Sequence, residues 1–118
     1  MENPNEQKKK NYFYVLWCKD NSFYAGYTTD LTRRENEHNK GIGAKYTRPI
    51  SRRPLNMIYA EFFDTRSEAM KAEAAFKKLT RYQKERYLEK QGINFPLKRS
   101  TTCLVKNGVD DNANATKL

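Results

Sequence analysis

The stretch that decides the fold is YFYVLWCKDNSFYAG, residues 12–26. Residues 12–18 are rich in aromatic and branched side chains and too few for a helix. The polar run Lys19-Asp20-Asn21-Ser22 breaks the pattern, and FYAGYT follows at once over 23–28. Two such runs around a short polar break predict a β-hairpin. The loop decides which side chains share a face. A two-residue loop at Asp20-Asn21 pairs Cys18 with Phe23 and sends Tyr14 and Tyr24 to opposite faces. A three-residue loop, Asp20-Asn21-Ser22, pairs Lys19 with Phe23 and places both tyrosines on one face. The odd-numbered loop, or a bulge with the same effect, is the expectation. The tyrosines need a reason, because Val, Ile and Leu build a strand core more simply. Tyrosine buries its ring while keeping a hydroxyl for other work.

Outward from the hairpin, PLNMIYAEFF (54–63) reads as a third strand, with Pro54 at its start where a missing N–H is tolerated. Three helices are predicted. The first covers about 30–40, with Thr29 or Asp30 as N-cap and Gly41 as its stop. The second opens on the capping-box pattern Thr65-Arg66-Ser67-Glu68 and runs to about Leu79. The third opens on Thr80-Arg81-Tyr82-Gln83 and ends before Gly92. The order β-β-α-β-α-α predicts an α/β (α+β) fold: a small, three-stranded, mainly antiparallel sheet flanked by helices. Residues 11–97 form the expected domain, 1–10 a flexible basic tail, and 98–118 a flexible C-terminal tail.

The chain has 118 residues, enough for one domain, and carries 23 Lys+Arg against 14 Asp+Glu, a net charge of +9. Such an excess favours polyanionic partners. A membrane surface is the weaker choice, because no basic helix has a broad apolar face. No segment reads as a signal peptide or membrane span, and a cytoplasmic location is expected. Cys18 and Cys103 lack zinc spacing, and the chain has a single histidine. Cys18 reads as a small core residue.

Two helices carry side chains that packing alone does not explain. The first, DLTRRENEHNK, has one apolar residue, Leu31. Arg34 and His38 lie on its face, so a helix docked through Leu31 also turns these two toward the sheet. The second places Ala69, Ala72, Phe76 and Leu79 on one stripe, with Glu73 at roughly 80° from its centre. A carboxylate there needs an ion pair or a bound cation. A Lys or Arg partner is the plainer reading.

These residues, taken in order, resemble the GIY-YIG nuclease family. The matching pieces are YVL (14–16), YAG (24–26), TTDLTRRENEHN (28–39), GAKYT (43–47) and KLTRYQK (78–84). Tyr12 and Phe13 stand where the family name has Gly and Ile, and Ala25 stands for Ile. The resemblance implies hydrolysis of phosphodiester bonds, in DNA more than in RNA, with one divalent ion, Mg²⁺ or Mn²⁺. It implies that Glu73 holds the metal and that Arg34 meets the scissile phosphate. It further implies that Tyr14 and Tyr24 position or deprotonate the attacking water, with His38 sharing proton transfer or bonding a tyrosine. Nucleic-acid contacts are expected from Lys45, Tyr46, Arg48, Arg52 and Arg53 in the loop GAKYTRPISRRP (43–54), with Lys77 and Lys78 adding charge. Family members commonly choose targets through a second domain, so a protein partner supplying specificity is a further expectation. The competing reading is a nucleic-acid-binding module that keeps the fold and does not cleave.

Overall fold

The computed structural model describes residues 9–109. The N-terminal tail expected over 1–10 lies almost wholly outside them. The elements in chain order are β1 (Asn11–Trp17), β2 (Phe23–Thr28), α1 (Leu31–Asn39), β3 (Asn56–Phe63), α2 (Arg66–Lys77), α3 (Arg81–Gln91) and β4 (Leu104–Asn107). A single 3-10 turn, Ile50–Arg52, precedes β3.

The sheet order is β2-β1-β3-β4. Strands β2 and β3 run antiparallel to β1, and β4 runs parallel to β3. The expected three strands are therefore four. The fourth falls inside the 98–118 stretch expected to be a tail. It pairs Tyr59 with Leu104 and Phe62 with Asn107.

The hairpin turn is the odd-numbered one, shifted by one residue. Asn21 N–H donates to Cys18 O and Cys18 N–H to Ser22 O, both at 2.9 Å, so the loop is Lys19-Asp20-Asn21. Asn21 takes φ 71° and completes the reversal. Trp17 then pairs with Phe23, Leu16 with Tyr24, and Tyr14 with Gly26. Tyr14 and Tyr24 share a face, as the odd loop requires.

Each helix starts where its capping residue predicts. Asp30 rather than Thr29 caps α1, accepting from the Arg33 N–H at 3.0 Å. Both capping boxes, Thr65/Glu68 and Thr80/Gln83, are formed. β3 begins two residues after Pro54, because Asn39 of α1 bonds both the N–H and the C=O of Leu55.

Strand alternation gives the sheet two different faces. On one, Phe13, Val15, Trp17, Ile58, Tyr59 and Phe63 pack against Ala69 and Phe76 of α2 and Leu88 of α3. A shift of register between Val15 and Leu16 makes Ile58 an extra residue in β3, so Ile58 and Tyr59 both join this core. Tyr59 and Tyr87 donate to the buried Glu61 carboxylate there. On the other face, Tyr14, Leu16, Cys18, Met57 and Ala60 form a smaller cluster against Leu31 of α1, Tyr24 and Tyr46. Cys18 is the buried core residue expected, and burial pushes its thiol pKa upward.

Candidate active site

α1 docks on the smaller face through polar groups. His38 is its only fully buried residue, and Leu31 is only half-buried. Glu35 accepts the Met57 N–H at 2.7 Å, and Asn39 holds Leu55. Met57 stands next to the extra residue Ile58, and Leu55 directly precedes β3. The helix thus closes backbone groups that a regular sheet partner would otherwise satisfy. Glu35 and Asn39 were not singled out from the sequence. They sit one position after Arg34 and His38, on the same docking stripe, and that spacing was the available signal.

Tyr14 is fully buried on β1, an inner strand of the sheet. Its hydroxyl lies over Gly26, where a Cβ would come to 2.3 Å from the oxygen. This is why the second motif ends in glycine. The hydroxyl lies 2.7 Å from His38 Nε2 and accepts from Arg34 Nε at 3.3 Å. Arg34 also donates to Glu37 Oε1 at 3.1 Å and to the Gly43 carbonyl at 3.2 Å. A guanidinium has five donors, so Arg34 keeps N–H groups beyond these three bonds. It is partly exposed. The other nitrogen of His38, Nδ1, lies 2.7 Å from Thr47 Oγ, whose own proton goes to the Ala44 carbonyl at 3.2 Å.

Tyr24 closes the site from β2. Its ring lies 5.3 Å from the His38 ring and stacks on Tyr46 at 5.6 Å and 23°. Arg52 lies 3.8 Å over Tyr46, and Lys77 Nζ lies 5.6 Å from the centre of the Tyr24 ring. Tyr46 is thereby in contact with both Tyr24 and Arg52. The four polar residues expected from the sequence, Tyr14, Tyr24, Arg34 and His38, are brought together.

Glu73 approaches from α2. Its side chain is 15% exposed and pairs with Lys77 at 2.7 Å, the plain ion pair considered above. It is also near enough to Tyr14 for its charge to disfavour the phenolate. Among the described residues no group of three or more His, Cys, Asp and Glu side chains is placed to hold a metal. One mostly buried carboxylate suits a hard ion that keeps most of its water. The residues fit Mg²⁺ or Mn²⁺ on that basis, with Lys77 as the group to be displaced.

The loop residues divide. Lys45 and Arg48 are exposed. Arg52 instead bonds Tyr46 O at 2.7 Å and Asp20 at 3.2 Å, and Arg53 bonds Asn39 O and Arg48 O. These two guanidiniums hold the loop in shape. Lys78 is exposed at the end of α2.

The electrostatics favour neutral groups. Burial pushes Tyr14 up to about 12, outweighing the opposing hydrogen bond and charge of Arg34, while Tyr24 and Glu73 push the same way as burial. Burial, then the Arg34 charge, lowers His38 to about 4. At neutral pH the buried pair is therefore a phenol and a neutral imidazole.

Residues 10–87 match the GIY-YIG catalytic domain. A UPF0213 protein of Enterococcus faecalis is 68% identical over 84 residues, which cover 71% of this chain and 96% of that protein. The UPF0213 protein YazA of Bacillus subtilis is 55% identical over 72% of this chain and 84% of that protein. The solution NMR structure of EF2693 from E. faecalis is 61% identical, covers 80% of this chain and 98% of that one, and superposes with a TM-score of 0.52. The match spans the hairpin, α1, β3, α2 and most of α3, and on it this chain belongs to the GIY-YIG family of nuclease catalytic domains.

Proposed function

We propose that this protein is a divalent-metal-dependent endonuclease that hydrolyses phosphodiester bonds in nucleic acid, with DNA preferred to RNA. The observation that carries the reading is the convergence of Arg34, Tyr14 and His38 on one hydrogen-bonded cluster, with the Tyr24 ring against His38 and the Glu73 carboxylate within electrostatic reach of Tyr14. A binding module has no use for a fully buried phenol–imidazole pair beside a carboxylate.

Arg34 would hold the scissile phosphate with the N–H groups it has left and stabilise the charge that develops on it. Its bonds to Glu37 and Gly43 aim the guanidinium beforehand. Tyr14 and Tyr24 would orient the attacking water. Tyr14 Oη lies 2.7 Å from His38 Nε2, so an imidazole bare at Nε2 is placed to receive the phenol proton. In the resting site that transfer is uphill, because the phenol is far less acidic than the imidazolium. An ion held by Glu73 would supply the positive charge that makes phenol or water acidic enough to react. Lys45 and Arg48 would contact the substrate backbone from the loop, and Lys78 from the end of α2.

The test is a cleavage assay on labelled single-stranded, duplex and branched DNA and on RNA, with Mg²⁺, Mn²⁺ or EDTA. Wild type and Glu73→Gln run in parallel. Cleavage by wild type alone, and only with metal, supports the proposal. Binding without cleavage on every substrate supports the non-catalytic module instead.

A further inference from the structure

The loop carrying GAKYT was read above as a nucleic-acid contact, and Lys45 suits that role. Thr47 does not. It is fully buried, and it lies against the one imidazole in the chain. Nothing in the proposed chemistry uses it.

The proton positions along this chain of bonds follow from counting donors. A carbonyl oxygen only accepts, so the single Thr47 hydroxyl proton is committed to Ala44 O. Thr47 Oγ can then only accept from His38, and Nδ1 must carry the imidazole proton. The Tyr14 end is compatible with the same tautomer without fixing it, since a phenol oxygen can accept twice. Arginine only donates, so Tyr14 Oη accepts from Arg34 Nε and has one proton left. With Nδ1 carrying the imidazole proton, Nε2 is bare and lies 2.7 Å from Tyr14 Oη, where it can accept that proton. The opposite tautomer would aim two donors at Tyr14 Oη, leave the phenol proton without its imidazole acceptor, and draw the Thr47 proton away from Ala44. The surroundings are shaped to the same end. A Cβ on Gly43 would come to 2.6 Å from His38 Nδ1, so only glycine lets the loop lie this close to the ring. The Thr47 N–H also bonds Ala44 O, at 3.2 Å, which fixes the hydroxyl in place.

We infer that Thr47 is a positioning residue: by accepting from Nδ1 it fixes the His38 tautomer, so that Nε2 faces Tyr14 as a proton acceptor. The loop from Gly43 to Thr47 is thus an internal support of the site as well as its rim. Thr47 touches no reacting atom and acts through His38. Its effect on catalysis rests on the nuclease reading, whereas its effect on the tautomer does not.

The experiment is a long-range ¹H–¹⁵N correlation spectrum of the single histidine, in wild type, Thr47→Ser and Thr47→Val. Wild type and Thr47→Ser are expected to show a protonated Nδ1 and a bare Nε2. Thr47→Val, which keeps the shape and loses the acceptor, is expected to show the Nε2-protonated form or a mixture. In the cleavage assay Thr47→Val should lower kcat by about a hundredfold, the lower end of a general acid–base contribution, with KM unchanged. Thr47→Ser should restore kcat to within a few-fold of wild type. A protonated Nε2 in wild type would overturn the inference, and this reading needs no variant to fold. So would a Thr47→Val protein that keeps both the Nδ1 tautomer and wild-type kcat. If no variant cleaves any substrate yet the tautomer responds as described, the nuclease reading fails and the inference about Thr47 stands.

Discussion

The two faces of the sheet are built on opposite terms. Against α2 and α3, neighbours are aromatic and aliphatic apart from Glu61 and its tyrosine donors, and Phe13 meets Phe76 with ring centres 5.4 Å apart. Against α1, the buried contacts are hydroxyl to imidazole, carboxylate to backbone amide and amide to backbone. Burial of apolar area is non-directional and tolerant, whereas a buried polar network stabilises only when every member is satisfied. One face holds the molecule together, and the other holds a few side chains at fixed distances. A substitution should therefore cost stability on the first face and activity on the second.

The sharpest test of that division is Arg34→Ala. Loss of an arginine that stabilises a transferring phosphoryl group lowers the cleavage rate on the order of 10³–10⁵-fold. The midpoint of urea unfolding should move little, because Arg34 is a partly exposed group. A large loss of stability would erase the distinction between the faces. The mirror experiment is Phe76→Ala, which should cost about 3–5 kcal/mol in urea unfolding. At temperatures where that variant stays folded, its cleavage rate should remain near wild type. A smaller effect belongs to pH. Folded His38 protonates near pH 4, against about 6.5 in the unfolded chain. The unfolded state thus binds more protons between those values, and stability falls as pH drops through that window. The loss reaches on the order of 3 kcal/mol at its acid end. His38→Gln should remove that part of the slope when unfolding free energies are measured from pH 7 to 4. The smallest effects are at the rim. Lys45→Ala and Arg48→Ala should each weaken nucleic-acid binding a few-fold and reduce the salt slope by about one. Equal losses from Arg52→Ala accompanied by a disturbed Tyr46 signal would show that the loop's shape matters as much as its charge.

Much of this arrangement was legible because local chemistry agreed with the fold. The caps at Thr65 and Thr80, the parity of the hairpin loop and the polar docking of α1 each follow from neighbours within a few residues. What escaped was long-range. Leu104–Asn107 is four residues with two aliphatic side chains, and its partner β3 lies across two helices. No turn signal links the two strands, because a parallel pair needs a long crossover. Thr47 escaped for a related reason: GAKYT was recognisable as a motif, but His38 is nine residues away and meets it only after α1 docks. Arg52 and Arg53 read as free cations because charge in a loop does not reveal that carbonyls of the same loop are its partners.

The turn at Lys19-Asp20-Asn21 contributes no atom to the candidate site, yet it does the counting for it. Tyr14 faces Gly26, and shares a face with Tyr24, only because three residues separate the paired ends of the hairpin. One residue more or fewer would slide β2 by a single step and set the two hydroxyls on opposite sides of the sheet. Alanine or tyrosine would then stand where Tyr14 needs glycine. Such a chain could still collapse around aromatic side chains of similar size. Its failure would be one of bookkeeping along the backbone, invisible to any measure of compactness and complete for any chemistry that needs both tyrosines at once.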